Sequence, residues 1–187
     1  MGAVEFDIDP VGTLRGLAER LRDPSPALRA IGALIVADSQ TAFKRQRLGS
    51  KPWASRMTPN VPGIVGDLNA GRRPPARRFD PRPALVDTGR LRQSITFEVS
   101  GNKVTVGTPL KYASIQQSGG KQRVTLTATG RSNLVAYLRQ NRDLTEELGW
   151  LFRKPSFEVE VRARPFIGVE DDTLEEIAEI LEDYFGG

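Results

Sequence analysis

The sequence predicts an α+β domain: a small, largely antiparallel four-stranded sheet, long amphipathic helices packed on one face, and a Pro/Arg-rich extended arm. Three observations carry this expectation. Segments near residues 25–49 and 171–187 repeat apolar residues at helical spacing, whereas four short segments alternate apolar and polar residues, the period of a half-buried strand. The 187 residues, 39% hydrophobic and 27% charged, fit one domain with its own core. The expected organisation is an N-terminal helical extension over 1–24 and a single α+β domain over 25–187, within which 50–84 is a Pro/Arg-rich loop or arm.

Taken in order, "DPVGTLRGLAERL" offers Asp9 as N-cap and Pro10 at the first helical position, with Val11, Leu14, Leu17 and Leu21 on one side. The next segment repeats this pattern. Ser25 caps, Pro26 opens, and Leu28, Ile31, Leu34, Ile35, Ala42 and Phe43 form a stripe. Lys44, Arg45 and Arg47 follow where the helix dipole favours cations, and Gly49 ends the helix. Seven of the thirteen prolines then fall between Pro52 and Pro83. Proline removes donors and fixes φ, so neither helix nor central strand is expected here. Connections this long tend to be functional or disordered, and Arg72, Arg73, Arg77, Arg78 and Arg82 make this one a candidate arm that orders against a partner.

Beyond the arm the period changes to two. Ile95, Phe97 and Val99 alternate with polar residues, "SGN" turns the chain, and Val104 and Val106 alternate back. "RVTLTA" and "FEVEVRA" supply two more strands. Between these, residues 131–152 read as one or two short helices with Leu134, Tyr137, Leu138, Leu144, Leu148 and Trp150 as contacts. In the closing helix, Leu174, Ile177, Ala178, Leu181, Tyr184 and Phe185 form the apolar stripe. Asp171 or Asp172 caps it and Gly186 stops it. Helices on the one apolar face of an antiparallel sheet complete the expectation.

Composition narrows the chemistry. With no cysteine and no histidine, thiol nucleophiles, Ser-His-Asp triads and imidazole or thiolate metal sites are excluded. No basic start precedes an apolar run, and no stretch approaches the ~20 apolar residues that span a bilayer, so a cytosol-like setting without a membrane is expected. The net charge of +4 is unevenly placed. Twelve Lys/Arg and three Asp lie between Lys44 and Arg92, whereas the last eighteen residues hold eight Asp/Glu and no Lys/Arg. Such asymmetry fits a nucleic-acid surface, faces that meet in neighbouring subunits, or simply solvated surfaces.

"ALVDTGRLRQSITFEV" (84–99) contains Asp-Thr-Gly, the tripeptide of aspartic peptidases. That chemistry needs two aspartates sharing a proton, and hence a dimer, with "FIG" (166–168) as a supporting element. Arg90 and Arg92 set cations beside any such pair. Capping a short helical turn through Leu91 is the simpler role for Asp87, making it a hinge between arm and sheet.

The wider stretch "LVDTGRLRQSITFEVSGNKVTVGTPLKYASIQQSGG" resembles the signature of the phage virion morphogenesis family, the tail-completion or neck proteins of Mu-like and related tailed phages. Asp87, Thr88, Gly89, Leu91 and Ser94 open the pattern. Val106, Gly107 and Thr108 end its hairpin, and Tyr112, Ala113, Ile115, Gln117, Gly119 and Gly120 complete it. "ARPFIGV", with Arg164, Pro165 and Phe166, resembles the family's Arg-Pro-Phe element, and Phe43, Gln46 and "KPWASRM" with Trp53 resemble its helix and Trp loop. The similarity runs from about Ala30 onward. It implies a structural virion protein that completes the tail or joins it to the head, as a homo-oligomeric ring that is most simply a hexamer. The implied partners are neighbouring head-completion or connector and tail-tube proteins, with non-specific DNA contact in the lumen. The implied place is the virion's head–tail junction, after assembly in the host cytoplasm.

No catalytic, cofactor or metal residue is expected. Glu170, Asp171 and Asp172 could hold a hard cation, but a helix N-terminus accounts for them without one. Gly119-Gly120 reads as a positive-φ turn and lacks the strand-to-helix setting of a phosphate loop. Candidate interaction residues are the five arm arginines, Trp53, Tyr112, Glu175, Glu179 and Glu182, although packing is the simpler role for Trp53, and for Tyr112 beneath the hairpin. The competing functions are a basic nucleic-acid-binding module using the 72–82 arm, which few aromatics interleave, and, more distantly, a peptidase through Asp87.

Overall fold

The computed structural model describes residues 10–186 except Met57, with side chains from Arg15 onward; the Asp9 cap and the Val11 and Leu14 contacts therefore lie outside the described residues. Helix α1 (Pro10–Arg22) leads into α2 (Ser25–Arg45), the helix on which half the molecule packs. Ser25 is the first residue of α2 and does not cap it. Its N–H is instead accepted by Asp23 Oδ1 at 3.1 Å, and hydrogen bonding from the Ser25 side chain, then from its backbone, lowers the Asp23 pKa. At the other end the chain leaves at Gln46, in the left-handed region at φ 55°, and not at Gly49. The Gln46 amide makes that exit tolerable by donating to the Phe43 and Ala84 carbonyls at 2.7 and 3.1 Å.

The α+β class holds, but the single four-stranded sheet does not. Among the described residues there are three separate two-stranded antiparallel sheets. Strands β1 (Arg47–Leu48) and β2 (Lys51–Pro52) form a small clip. Strands β3 (Thr96–Ser100) and β4 (Lys103–Gly107) form the hairpin, with Phe97 opposite Val106. Strands β5 (Gly120–Thr125) and β6 (Ser156–Val161) pair across the intervening helices, with Val124 opposite Phe157. Period-two alternation specifies which face of a strand is buried but not which strand lies beside it. Here the two main pairs bury their faces on different helices: β3 and β4 pack on α2, and β5 packs on α3 (Val61–Asn69).

Helix α3 is the second correction, because it lies inside the proline-rich segment. Asn60 caps it by accepting the Gly63 N–H at 3.2 Å, and Pro62 sits in its first turn, where a missing N–H costs nothing. Ile64, Val65 and Leu68 from this helix are almost wholly buried. They join Val124 and Leu126, α6 (Ala128–Gln140), α7 (Thr145–Leu148) and Leu151 in one core. The second core gathers Phe43, Trp53, Leu91, Ile95 and Phe166 under α2 and the hairpin.

Helix α8 (Asp171–Gly186) lies against α2 and α1. It is fastened by Thr173 Oγ1 donating to Asp38 at 2.6 Å and by Tyr184 OH donating to the Asp23 carbonyl at 2.7 Å. The expected stripe is only partly covered: Ile177, Leu181, Tyr184 and Phe185 are half-buried, whereas Ala178 and Leu174 face solvent, Leu174 being 55% exposed.

At Gly32 on α2 an added Cβ would clash with one edge of the Phe97 ring. Gly32→Ala should therefore destabilise the protein by about 1–3 kcal/mol through overpacking, read as a lower urea midpoint at unchanged m. An unchanged midpoint would show that the hairpin can ride away from α2.

Candidate functional site

The Asp-Thr-Gly turn builds one wall of the main cleft. Helix α4 (Arg90–Gln93) starts after Gly89 (φ 75°) without a side-chain cap hydrogen bond; the nearest substitute is Thr88 Oγ1, 3.4 Å from the Arg90 N–H. Asp87 therefore does not cap. Its carboxylate turns back to the arm, accepting from Arg77 Nε at 2.9 Å and Arg78 Nη1 at 2.7 Å, with Arg56 Nη1 at 3.9 Å. Arg78 reaches further, donating through Nε to Asp67 Oδ2 at 2.9 Å, and Arg72 holds the other Asp67 oxygen at 3.0 Å. Asp67, on α3 with its side chain only 6% exposed, needs these partners because a buried carboxylate left alone is costly. Burial pushes the Arg56 pKa down, and Asp87 opposes that shift.

This network explains the capping error. A cap is a local rule, whereas Asp87 is satisfied by residues nine to ten positions earlier that α3 and the following turn bring back. It also bears on the arm: Arg72, Arg77 and Arg78 are engaged within the chain, so their ordering is not reserved for a partner. Arg73 lies 5.9 Å from the Tyr137 ring centre, and Arg82 makes no ion pair among the described residues. Within this network Asp67 and Asp87 are joined through the Arg78 guanidinium, which donates to both.

The remaining motif residues hold the hairpin and the Arg-Pro-Phe element together. Ser94 Oγ donates to the Leu91 carbonyl at 2.8 Å and lies 2.7 Å from Thr108 Oγ1, tying α4 to the end of β4. On α5 (Ala113–Ser118), Gln117 clamps the later strand of chain: its Oε1 accepts the Phe166 and Ile167 N–H groups, and its Nε2 donates to the Ile167 carbonyl at 2.7 Å. Arg164 donates to the Ala54 and Ser55 carbonyls at 2.8 and 2.9 Å, and Trp53 Nε1 donates to the Pro165 carbonyl at 2.7 Å. Trp53 is thus buried and structural. Gly119 (φ 72°) must be glycine, since a Cβ would press on the Val161 and Ala163 backbone at 2.8–2.9 Å, and Gly120 (φ 139°) continues the turn. Among the described residues nothing lies near enough to Gly107 to demand glycine.

Between the two cores lies an open cleft of about 870 Å³. Arg56, Arg72, Arg78, Arg90, Arg162 and Arg164 line it, against Asp87 and Glu160. Its apolar lining includes Leu85, Val86, Val159 and Tyr112. Tyr112 is 45% exposed, at the cleft and not beneath the hairpin. Leu85 adopts φ 59°, an unusual backbone for a branched side chain. Sequence reasoning missed Arg56, Asp67 and Arg162; the only signal was Asp67 standing as a lone carboxylate ahead of an arginine run. Glu175, Glu179 and Glu182 are exposed on α8, outside this cleft. Among the described residues no acidic cluster is placed to hold a metal, and no helix is long and apolar enough to cross a membrane.

Fold and cleft together define a small α+β protein that presents an arginine-lined surface to whatever it meets. The family model of the phage virion morphogenesis family matches residues 11–186, and the chain belongs to that family. The match reaches back through α1, well ahead of the Ala30 boundary expected from the motifs. The chain is also similar to a Mu-like prophage protein, FluMu G protein 2 of Haemophilus influenzae, at 30% identity over 124 residues, covering 65% of this chain and 67% of the relative. No solved structure matches it.

Proposed function

We propose that this phage protein is a structural component that completes the tail or joins it to the head at the neck, acting as a homo-oligomeric ring. The observation that carries this reading is the separation of charge in a virion-assembly chain. The acidic residues of α8 are exposed, and Arg90 and Arg162, which make no ion pair among the described residues, line the cleft away from that helix. A rotationally repeated interface needs two different complementary patches on each subunit, and these supply them. The hexameric stoichiometry is an expectation from the family likeness alone. The neighbours in the particle would be head-completion or connector proteins on one side and tail-tube proteins on the other.

No catalysis is assigned to the chain. Asp87 serves as a counter-ion, so Asp87→Asn should cost about 2 kcal/mol, between the values for exposed and buried ion pairs, while wild-type protein should cleave no peptide library. Cleavage abolished by Asp87→Asn would return the peptidase reading. The assembly role is tested in a phage lacking the gene. Electron microscopy should show filled heads and tails that fail to join or tails of irregular length, both corrected by supplying the protein. Normal joined particles in its absence would overturn the reading.

A further inference from the structure

We propose that the arginine-lined cleft is the socket for α8 of a second copy of this chain; the inference rests on the ring reading above and names the surfaces that build it. Helix α8 cannot fill its own cleft. Glu170 accepts the Gly49 N–H, Thr173 holds Asp38, and Tyr184 holds the Asp23 carbonyl, so the helix is pinned along α2 and α1 at both ends. Its outward face is left without a partner among the described residues. That face carries Leu174 and Ala178 beside Glu175, Glu179 and Glu182, spaced four and three residues apart and all exposed. At ~1.5 Å per residue, the three carboxylates span about 10 Å along one side of a helix.

The cleft offers the complement. Val86 and Tyr112 are exposed apolar groups at its surface that match Leu174 and Ala178. Arg90 and Arg162 are exposed, and neither makes an ion pair within the described residues. Arg56 and Arg78, by contrast, are already matched to Asp87. A cleft of about 870 Å³ is on the scale that takes a row of side chains rather than a whole helix. The helix would therefore lie across it and insert one face. The contact is heterologous, so its repetition builds a ring where the rotation closes and an open filament where it does not. Apolar insertion supplies affinity, and the carboxylate–arginine register supplies specificity.

The test is a charge exchange read by sedimentation and native mass. Glu175→Lys with Glu179→Lys and Glu182→Lys forms one variant; Arg90→Glu with Arg162→Glu forms the other. All five residues are exposed, so circular dichroism should be unchanged for both. Each variant should weaken self-association by at least about tenfold, and an equimolar mixture of the two should regain mixed oligomers, because like charge is again replaced by unlike. Because the chain has no cysteine, a cross-link between Glu179→Cys and Arg162→Cys copies gives an independent readout. Oligomers that survive both reversals would leave the ring standing and remove the socket. A monomeric wild type would remove the ring and the socket together. Loss of salt-sensitive DNA binding in the arginine variant, with oligomers intact, would overturn the proposal in favour of a nucleic-acid cleft.

Discussion

Arg78→Ala is expected to lower the unfolding free energy by about 3 kcal/mol, because it strips two carboxylates of a shared partner at once. Asp67 would keep only Arg72, whose side chain is mostly exposed and therefore a weak counter-ion. Asp87 would keep Arg77 and the more distant Arg56. The change would also unlink Asp67 on α3 from the Asp-Thr-Gly turn, while the Asn60 N–H donating to the residue-78 carbonyl at 2.7 Å would still tie the 76–78 turn to the start of α3. Arg78→Lys should recover less than half the loss, since an ammonium cannot present Nε and Nη1 to two acceptors in fixed geometry. Urea unfolding reads both variants. Limited proteolysis within residues 72–83 should accelerate in Arg78→Ala and stay slow in the wild type. An Arg78→Ala protein as stable as wild type would mean that the ion pairs are solvated decoration.

Phe166→Ala should cost about 3–5 kcal/mol, the range for deleting a fully buried aromatic ring. Phe166 is almost completely enclosed and packs 5.7 Å, centre to centre, from Phe43, which meets Trp53 edge-on at 5.4 Å. The loss is not confined to apolar area. The backbone on either side of Phe166 is gripped by Gln117 and Trp53 and anchored by Arg164 reaching to the Ala54 carbonyl, and a cavity beneath it would loosen that hold. Phe166→Leu, which keeps most of the volume, should cost under about 1.5 kcal/mol. Equal losses for the two variants would point to ring geometry, and not volume, as the dominant contribution.

The two long helices and the faces of the strands were legible because burial repeats with a fixed period. Ile31, Ile35, Ala42 and Phe43 are buried on α2 as their spacing requires. Strand partners were not legible, since alternation carries no information about which strand lies alongside, and the chain from Thr108 to Gly119, including α5, separates the two main pairs. In the proline-rich segment the apolar triplet Ile64, Val65 and Leu68 was visible at helical spacing, with Asn60 and Pro62 as a start signal. Proline density outweighed it, although a proline in the first turn is compatible with a helix. The motif residues of the site could be found, but their work could not. Asp87 has a capping residue's local sequence and a long-range ion-pair environment, and only the placement of α3 decides between them. Arg162 and Tyr112 become a surface only once β6 and α5 are brought to the same cleft.

The proposed head-to-tail ring rests on an acidic helix face and an arginine-lined cleft in one phage-assembly chain. Native mass spectrometry of the purified full-length chain across a concentration series tests it most directly. One closed species is expected, with the hexamer favoured, that dissociates as salt rises because part of its register is electrostatic. A strictly monomeric protein at every concentration, or an open-ended ladder of oligomers with no preferred size, would contradict it.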